Sequence, residues 1–269
     1  MTAATDSARD GVASIPISVA TFNIRYGHAD DGDNSWPLRR AALRDQLQAV
    51  DWQFLGLQEV VAEQLAYLRD QIPHTEYASV GRDDGLLAGE HCSVFVNSPD
   101  WTLDSADVRW LSEQPETPGS VGWDATLPRI VTITRATHPP TGTQIGFANT
   151  HFCYQGDTAR LESARLIDRW LTAEADGRAW ILVGDFNLVP GSPPLRFLRE
   201  QGWVSAVPDG IGGTNHSFAG GTDDGQIDHI LVSPEIAVTG WAVERDMIDG
   251  HWPSDHYLVR ADLQIPVVV

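Results

Sequence analysis

Short apolar runs, separated by turn-forming residues, recur along the whole chain. Their length and their content of Val, Ile, Phe and Thr are typical of β-strands. The runs lie at residues 17–24, 52–60, 92–97, 129–136, 144–152, 180–187, 227–233 and 256–265. The pattern therefore predicts a protein rich in strands.

Helical periodicity is rarer and is confined to three segments. We expect helices over residues 38–50, 60–72 and 158–175, where apolar positions recur at helical spacing. Pro37 precedes the first of them and suits the first turn of a helix. Many strands with few helices favour two stacked sheets covered by helices over a strictly alternating βαβ fold.

The length of 269 residues and the 42% hydrophobic content allow a sizeable core. We find no repeat of fixed period and no low-complexity linker. The sequence therefore predicts one domain over residues 15–269, preceded by a flexible leader over residues 1–14.

The charge of the chain narrows the range of partners. There are 37 acidic and 18 basic residues, all of the latter arginine, and the net charge is -19. Extended contact with nucleic acid needs a basic surface and is not favoured. The two cysteines cannot form a disulfide framework, and neither a signal segment nor a long apolar run is visible. We expect a cytoplasmic protein without a transmembrane segment.

Many of the predicted strands carry, at or beside one end, polar residues of the types found in catalytic sites. A carboxylate at the end of an apolar strand costs free energy unless it is paired or metal-bound. Any one such residue has an ordinary explanation, for example a capped strand end, but together they predict a site. They are Asn23, Glu59, Glu90, Asn149, His151, Asp185, Asn187, Asp228, Asp255 and His256.

The residue types in this set indicate the chemistry. Carboxylate and amide oxygens suit Mg²⁺ or Mn²⁺, and histidines suit proton transfer or the stabilisation of developing charge. A covalent nucleophile is not indicated, because Ser254 lacks the GxSxG turn of serine hydrolases.

The order and spacing of six motifs resemble the endonuclease/exonuclease/phosphatase superfamily, which includes deoxyribonuclease I. The motifs are TFNIR (21–25), LQEV (57–60), NTHF (149–152), GDFN (184–187), IDHILVS (227–233) and SDH (254–256). Further stretches resemble a bacterial branch whose substrates are undefined. The resemblance implies an α/β fold of the α+β type. The implied fold is a four-layer, deoxyribonuclease I-like sandwich of two mostly antiparallel sheets flanked by helices.

The resemblance also implies a metal site and a base. Glu59 is expected to be the main ligand of one or two Mg²⁺ or Mn²⁺ ions, with Asn23 and Asp255 in or near the coordination shell. Asp185 corresponds to the residue that orients or deprotonates the attacking water. Asn187 corresponds to the residue that positions the water or the phosphate.

Two histidines complete the implied machinery. His256, held by Asp228, is expected to donate to a phosphoryl oxygen. His151, with Glu90 as its carboxylate partner, is expected to assist the phosphate or the leaving group. Predicted substrate contacts come from Arg129, Arg82 and Asn149.

The function predicted is Mg²⁺- or Mn²⁺-dependent hydrolysis of a small phosphodiester or phosphomonoester by in-line attack of water, without a covalent intermediate. A nuclease acting on DNA or RNA is the alternative, and a binding module without activity is a third hypothesis. Cys153 and Tyr154 stand where the branch commonly has an Asp-His pair, so the resemblance leaves the substrate open.

Overall fold

Twelve strands and four α-helices make up the computed structural model, which describes residues 13–97 and 100–267. Residues 1–12 of the predicted leader lie outside this range. The strands are β1 (Ser14–Asn23), β2 (Phe54–Val60), β3 (Thr75–Ala78), β4 (His91–Asn97), β5 (Thr102–Trp110), β6 (Ile130–His138), β7 (Thr143–His151), β8 (Ala179–Asp185), β9 (Val204–Ser205), β10 (Asp228–Val232), β11 (Ala237–Glu244) and β12 (Leu258–Pro266). The helices are α1 (Trp36–Ala49), α2 (Ala62–Gln71), α3 (Asp157–Ala173) and α4 (Pro193–Glu200).

The strands form two six-stranded sheets with the same pattern of pairing. The first sheet has the order β11-β12-β1-β2-β4-β3, and the second has the order β5-β6-β7-β8-β10-β9. In each sheet the central pair is parallel, β1 with β2 and β7 with β8, and the other pairs are antiparallel. Helices α1 and α3 make the two crossovers that parallel neighbours require. The two sheets therefore have the same arrangement of strands, which the hydrophobic periodicity of the sequence does not reveal.

Three apolar clusters hold four layers together. The cluster between the sheets includes Phe54 of the first and Phe147 of the second, whose rings stack with centroids 5.4 Å apart. The outer face of the first sheet packs on α1 and α2, and the outer face of the second packs on α3 and α4. The predicted sandwich of two mostly antiparallel sheets flanked by helices is confirmed.

The predicted elements are present, and the sequence pattern missed five others. The three predicted helices correspond to α1, α2 and α3, and each predicted strand has its counterpart. The missed elements are helix α4 and the strands β3, β5, β9 and β11. All four missed strands lie at sheet edges, where solvent on one or both faces removes the apolar signal. Among the described residues, none of the helices has the length and apolar character needed to span a membrane.

A buried histidine links stability to pH. His229 in β10 is 2% exposed, its Nε2–H donates to the carbonyl of Leu188 at 2.7 Å, and its ring meets the Phe186 ring edge to face. Burial lowers the pKa of His229 below its ordinary value of 6.5. The unfolded chain therefore binds a proton below about pH 6.5 that the folded chain does not. This contribution to stability is present above that pH and is lost as the pH falls.

We predict that His229→Gln, which keeps a donor for Leu188 but cannot titrate, flattens the pH dependence of stability. Between about pH 7.5 and 5, the free energy of unfolding of the unsubstituted protein should fall more steeply than that of the variant, by at most about 1.4 kcal/mol per pH unit. Urea unfolding at several pH values measures this difference. His74→Gln, at an exposed position, serves as control and should leave the slope unchanged. Parallel curves for His229→Gln and the unsubstituted protein would refute the assignment.

Candidate active site

The four central strands of the two sheets end at one pole of the sandwich. Asn23 ends β1, Glu59 lies near the end of β2, His151 ends β7 and Asp185 ends β8. The amide of Asn23 donates to Oε1 of Glu59 at 3.1 Å and to Oδ2 of Asp185 at 3.0 Å. One side chain therefore joins carboxylates that belong to different sheets.

The backbone at Glu59 is distorted in a way that fixes its carboxylate. The pairing of β2 with β4 shifts register between Leu57 and Val60, and Glu59 has a φ of 60°. A glutamate with left-handed backbone angles is uncommon and costs free energy, so the surrounding structure must enforce this conformation. Oε2 of Glu59 accepts a hydrogen bond from the backbone N–H of Tyr26 at 3.0 Å.

Asp185 is a buried carboxylate that lies close to both histidines of the site. It is 2% exposed, and its Oδ1 accepts the backbone N–H of Asn187 at 2.8 Å. Its Oδ2 lies 3.4 Å from Nε2 of His151 and 3.8 Å from Nε2 of His256. Burial and then the charge of Asp228 raise the pKa of Asp185 to about 7. A carboxylate with such a pKa is suited to accept a proton near neutral pH.

His256 and Asp228 form a buried ion pair. Nδ1 of His256 donates to Oδ2 of Asp228 at 2.9 Å. Burial lowers the pKa of His256, but the charge and hydrogen bond of Asp228 and the charge of Asp185 outweigh burial and raise it to about 10. The structure thus brings together the predicted histidine–aspartate pair and holds the imidazolium beside Asp185.

Asn215 contacts the site but was not among the predicted residues. Its side-chain amide lies 2.9 Å from Nε2 of His256, and the two residues form an isolated β-bridge. Which end of the amide faces the ring depends on whether Nε2 carries a proton. Asn215 lies in an irregular glycine-rich segment, where the sequence has no strand end to mark it.

The structure does not support the expected pairing of His151 with Glu90. Oε2 of Glu90 lies 4.0 Å from Nδ1 of His151, beyond hydrogen-bond distance. Both oxygens of Glu90 instead accept hydrogen bonds from Arg82, at 2.7 and 2.8 Å. A bidentate guanidinium is a stronger partner for a buried carboxylate than a neutral imidazole. Glu90 therefore lies at the site as the counter-ion of Arg82.

His151 has a donor that the protein leaves unused. The amide of Asn187 donates to Nε2 at 3.1 Å, which places the proton of the neutral ring on Nδ1. Nδ1 is buried and has no hydrogen-bond partner among the described residues. Burial and then the charges of Arg129 and Arg82 hold the pKa of His151 well below its usual range. His151 is thus a neutral donor at neutral pH.

Asn149 lies beneath the pole and is not available to a ligand. It is completely buried, and its amide donates to the carbonyls of Leu57 at 2.9 Å and Ser93 at 2.8 Å. Its oxygen accepts from Gln58 at 2.6 Å. The prediction that Asn149 contacts substrate is therefore corrected: the residue joins the two sheets.

Asp255 lies at the same pole and is buried beside His256. Its Oδ1 accepts from the hydroxyl of Ser254 at 3.2 Å, and its Oδ2 lies 3.7 Å from Nε of Arg25. The guanidinium of Arg25 is held mainly by Asp31, with hydrogen bonds at 2.9 and 3.1 Å. Asp255 thus retains acceptor capacity for a further cation.

The two residues that depart from the resembling branch differ in exposure. Cys153 is buried, whereas Tyr154 is 50% exposed and presents its ring to solvent.

Asp124 accepts the backbone N–H groups of Thr158 and Ala159. It therefore caps the first turn of α3, which follows the pole.

The donor set at the pole fits a hard divalent cation. Glu59, Glu90 and His151 each place one ligand atom within 4.8 Å of the others, and Asp185, Asp228 and His256 form a second such group. After burial, the charge of Glu59 is the strongest influence that raises the pKa of Glu90. A cation between these carboxylates would relieve their repulsion. Oxygen donors of this kind are those that Mg²⁺ and Mn²⁺ prefer.

Comparisons with known proteins agree with this geometry. A model of the Endonuclease/Exonuclease/phosphatase family matches residues 20–256. A structure of a protein of that family from Bacteroides thetaiotaomicron is 30% identical, with a TM-score of 0.89, over 94% of this chain and 99% of that chain. The mannosyl-6-phosphatase of Bacteroides thetaiotaomicron VPI-5482 is also 30% identical, with a TM-score of 0.86, over 92% and 99%.

A more distant structure shares the fold. The human Nocturnin catalytic domain has a TM-score of 0.71 and 17% identity, over 93% of this chain and 94% of that domain. A comparison with curated protein sequences returns no match.

We predict that Gly184→Ala destabilises the protein and disturbs the site. A Cβ at Gly184 would overlap the backbone oxygen of Thr150 in the neighbouring parallel strand, which cannot move without displacing His151. We expect a loss of about 3 kcal/mol in the free energy of unfolding, measured with urea. Gly142→Ala is the comparison, because Gly142 has a positive φ but open space around it, and about 1 kcal/mol is expected there. Equal losses in the two variants would contradict the packing argument.

Proposed function

Because the chain belongs to the endonuclease/exonuclease/phosphatase family and is a phosphoester hydrolase, we propose that it hydrolyses a small phosphorylated molecule with the aid of Mg²⁺ or Mn²⁺. The observation that carries the proposal is the position of Asp185. Its Oδ2 accepts from Asn23 at 3.0 Å and lies within 3.8 Å of both His151 and His256. The proposed base therefore lies next to both histidines, at a pole that is rich in carboxylates.

The residues of the chain divide the work of in-line hydrolysis among them. Asp185 accepts a proton from the attacking water, and Asn187 positions the water or the phosphate. His256, charged by its pairing with Asp228, donates to a phosphoryl oxygen as negative charge develops there. The neutral Nδ1–H of His151 offers a second donor.

A divalent cation would be held by Glu59, with Asn23 and Asp255 beside it, and would neutralise charge on the phosphoryl oxygens and the leaving group. A covalent intermediate is not part of the proposal. Both cysteines are buried, and burial raises the pKa of Cys92 to about 12, far from the range of a reactive thiolate.

The first substrates to test are hexose phosphates. The mannosyl-6-phosphatase is 30% identical along nearly its whole length. The net charge of -19 disfavours extended contact with the phosphates of a nucleic acid.

We predict that Asp185→Asn and His256→Asn each lower kcat by at least about 100-fold, because one removes the base and the other the charged donor. The assay compares p-nitrophenyl phosphate, bis(p-nitrophenyl) phosphate and mannose 6-phosphate, each with Mg²⁺, with Mn²⁺ and with EDTA. Asp209→Asn and His74→Asn, at exposed positions, serve as matched controls with unchanged rates. Near-normal turnover in either site variant would remove that residue from the mechanism.

We predict that Glu59→Gln weakens the binding of Mn²⁺ by about 10- to 100-fold, because one charged ligand is lost. Titration calorimetry measures the affinity, and the rise in Tm on addition of Mn²⁺ gives a second readout. Glu63→Gln, an exposed glutamate in α2, is the control. An unchanged affinity in Glu59→Gln would place the metal elsewhere.

The nuclease alternative is tested with the same preparation. Nicking of plasmid DNA that is strong at low salt, falls steeply with added salt and exceeds the rate on small esters would replace the small-molecule proposal.

A further inference from the structure

Arg129 is a buried cation that the protein itself does not satisfy. It directly precedes β6 and is 6% exposed. Its Nε has no hydrogen-bond partner in the described part of the chain, and its NH1 lies 3.6 Å from Oε2 of Glu90. An unpaired charge in the interior is costly, so such an arginine calls for an anion.

The neighbouring arginine shows that Glu90 is not that anion. Arg82 contacts both oxygens of Glu90 in a fork at 2.7 and 2.8 Å. One carboxylate is thus already neutralised by one guanidinium. Arg129 makes no hydrogen bond with that carboxylate, since its NH1 lies 3.6 Å from Oε2, so its guanidinium can bind a further acceptor.

Arg129 lies where the reaction is proposed to take place. Arg129 lines a narrow cleft together with Glu59 and His151. After burial, Arg129 is the strongest influence that lowers the pKa of His151, so its charge acts directly on that ring. Three donors in the cleft are buried without a partner among the described residues: Nε of Arg82, Nε of Arg129 and Nδ1 of His151. Of the three side chains, Arg129 and His151 are not held by a hydrogen bond to Glu90.

We propose that Arg129 determines specificity by binding, together with Nδ1–H of His151, a non-bridging oxygen that only a phosphate monoester offers. A monoester carries a charge of about -1.5 to -2 near pH 7 and three strong acceptor oxygens. A diester carries a single negative charge and has one non-bridging oxygen fewer. The inference rests on the proposed function and narrows it to phosphate monoesters.

The stability of variants at Arg129 distinguishes a ligand-binding role from a structural one. If Arg129 served folding, its removal would lower stability. If it awaits a ligand, replacing it by a neutral side chain of similar length removes a buried unpaired charge and leaves stability equal or higher. Arg82→Met is the matched comparison, because it leaves Glu90 buried without its bidentate partner.

The first experiment compares kcat/KM for p-nitrophenyl phosphate and bis(p-nitrophenyl) phosphate in the unsubstituted enzyme and in Arg129→Gln. We expect a loss of about 100-fold on the monoester and of less than about 5-fold on the diester. Arg135→Gln is the control, since Arg135 lies in β6, the strand that follows Arg129, but pairs with Glu174 away from the pole. Added guanidinium should restore monoester activity to Arg129→Ala.

Two further measurements do not need turnover. Calorimetry at about pH 8 should show that inorganic phosphate binds the metal-free protein at least about 10-fold more tightly than it binds Arg129→Gln. Urea unfolding should place the midpoint of Arg129→Met at or above that of the unsubstituted protein, and that of Arg82→Met below it.

The outcomes separate the inference from the proposed function. If the unsubstituted enzyme cleaves neither ester with either metal, the proposed function fails, and the phosphate titration alone decides the role of Arg129. Equal losses on both esters, equal phosphate affinity in Arg129→Gln, or a midpoint for Arg129→Met as low as that of Arg82→Met would each overturn the inference.

Discussion

The pair of hydrogen bonds from the Asn23 amide is the contact on which the site depends. It joins Glu59 of the first sheet to Asp185 of the second, so the distance between the carboxylates follows from the distance between the sheets. That spacing is set below the pole, where Gly56 lacks the Cβ that would overlap Val183 and Asn149. Packing of the core therefore also sets the positions of the site residues. A change that separates the sheets also separates the carboxylates that Asn23 joins.

The sequence was sufficient to predict the interior of this fold because burial leaves a pattern. The central strands are apolar on both faces, since helices cover one face and the other sheet covers the second. The edge strands have no such requirement, and β5 and β11 alternate weakly with mostly solvated side chains. Helix α4 begins at a Pro-Pro pair directly after a turn, which hides its short apolar face. Prediction failed where solvent, rather than packing, sets the composition.

The candidate site likewise contains residues that the sequence predicts and residues that it does not. Asp185, Glu59 and His256 could be predicted because polar residues beside apolar strands indicate a site. The pairing of His256 with Asp228 was predicted too, but two further contacts could not be, because they come from loops whose positions depend on the complete fold. Arg82 pairs with Glu90 after a turn, and Asn215 reaches His256 from a glycine-rich segment, so neither contact has a periodic signature. Only the distances show that Arg82 forms a bidentate pair with Glu90, whereas Arg129 makes no hydrogen bond with it.

The antiparallel pairing of β1 with β12 has a consequence for biosynthesis. Asn23 lies at the end of the first strand, whereas Asp255 and His256 directly precede the last. A nascent chain on the ribosome can complete every strand of the second sheet while the first still lacks β11 and β12. His256 is then absent, and Asp185 lacks the imidazole that lies 3.8 Å from it in the folded protein. The residues of the pole therefore come together only when the final strand closes the first sheet.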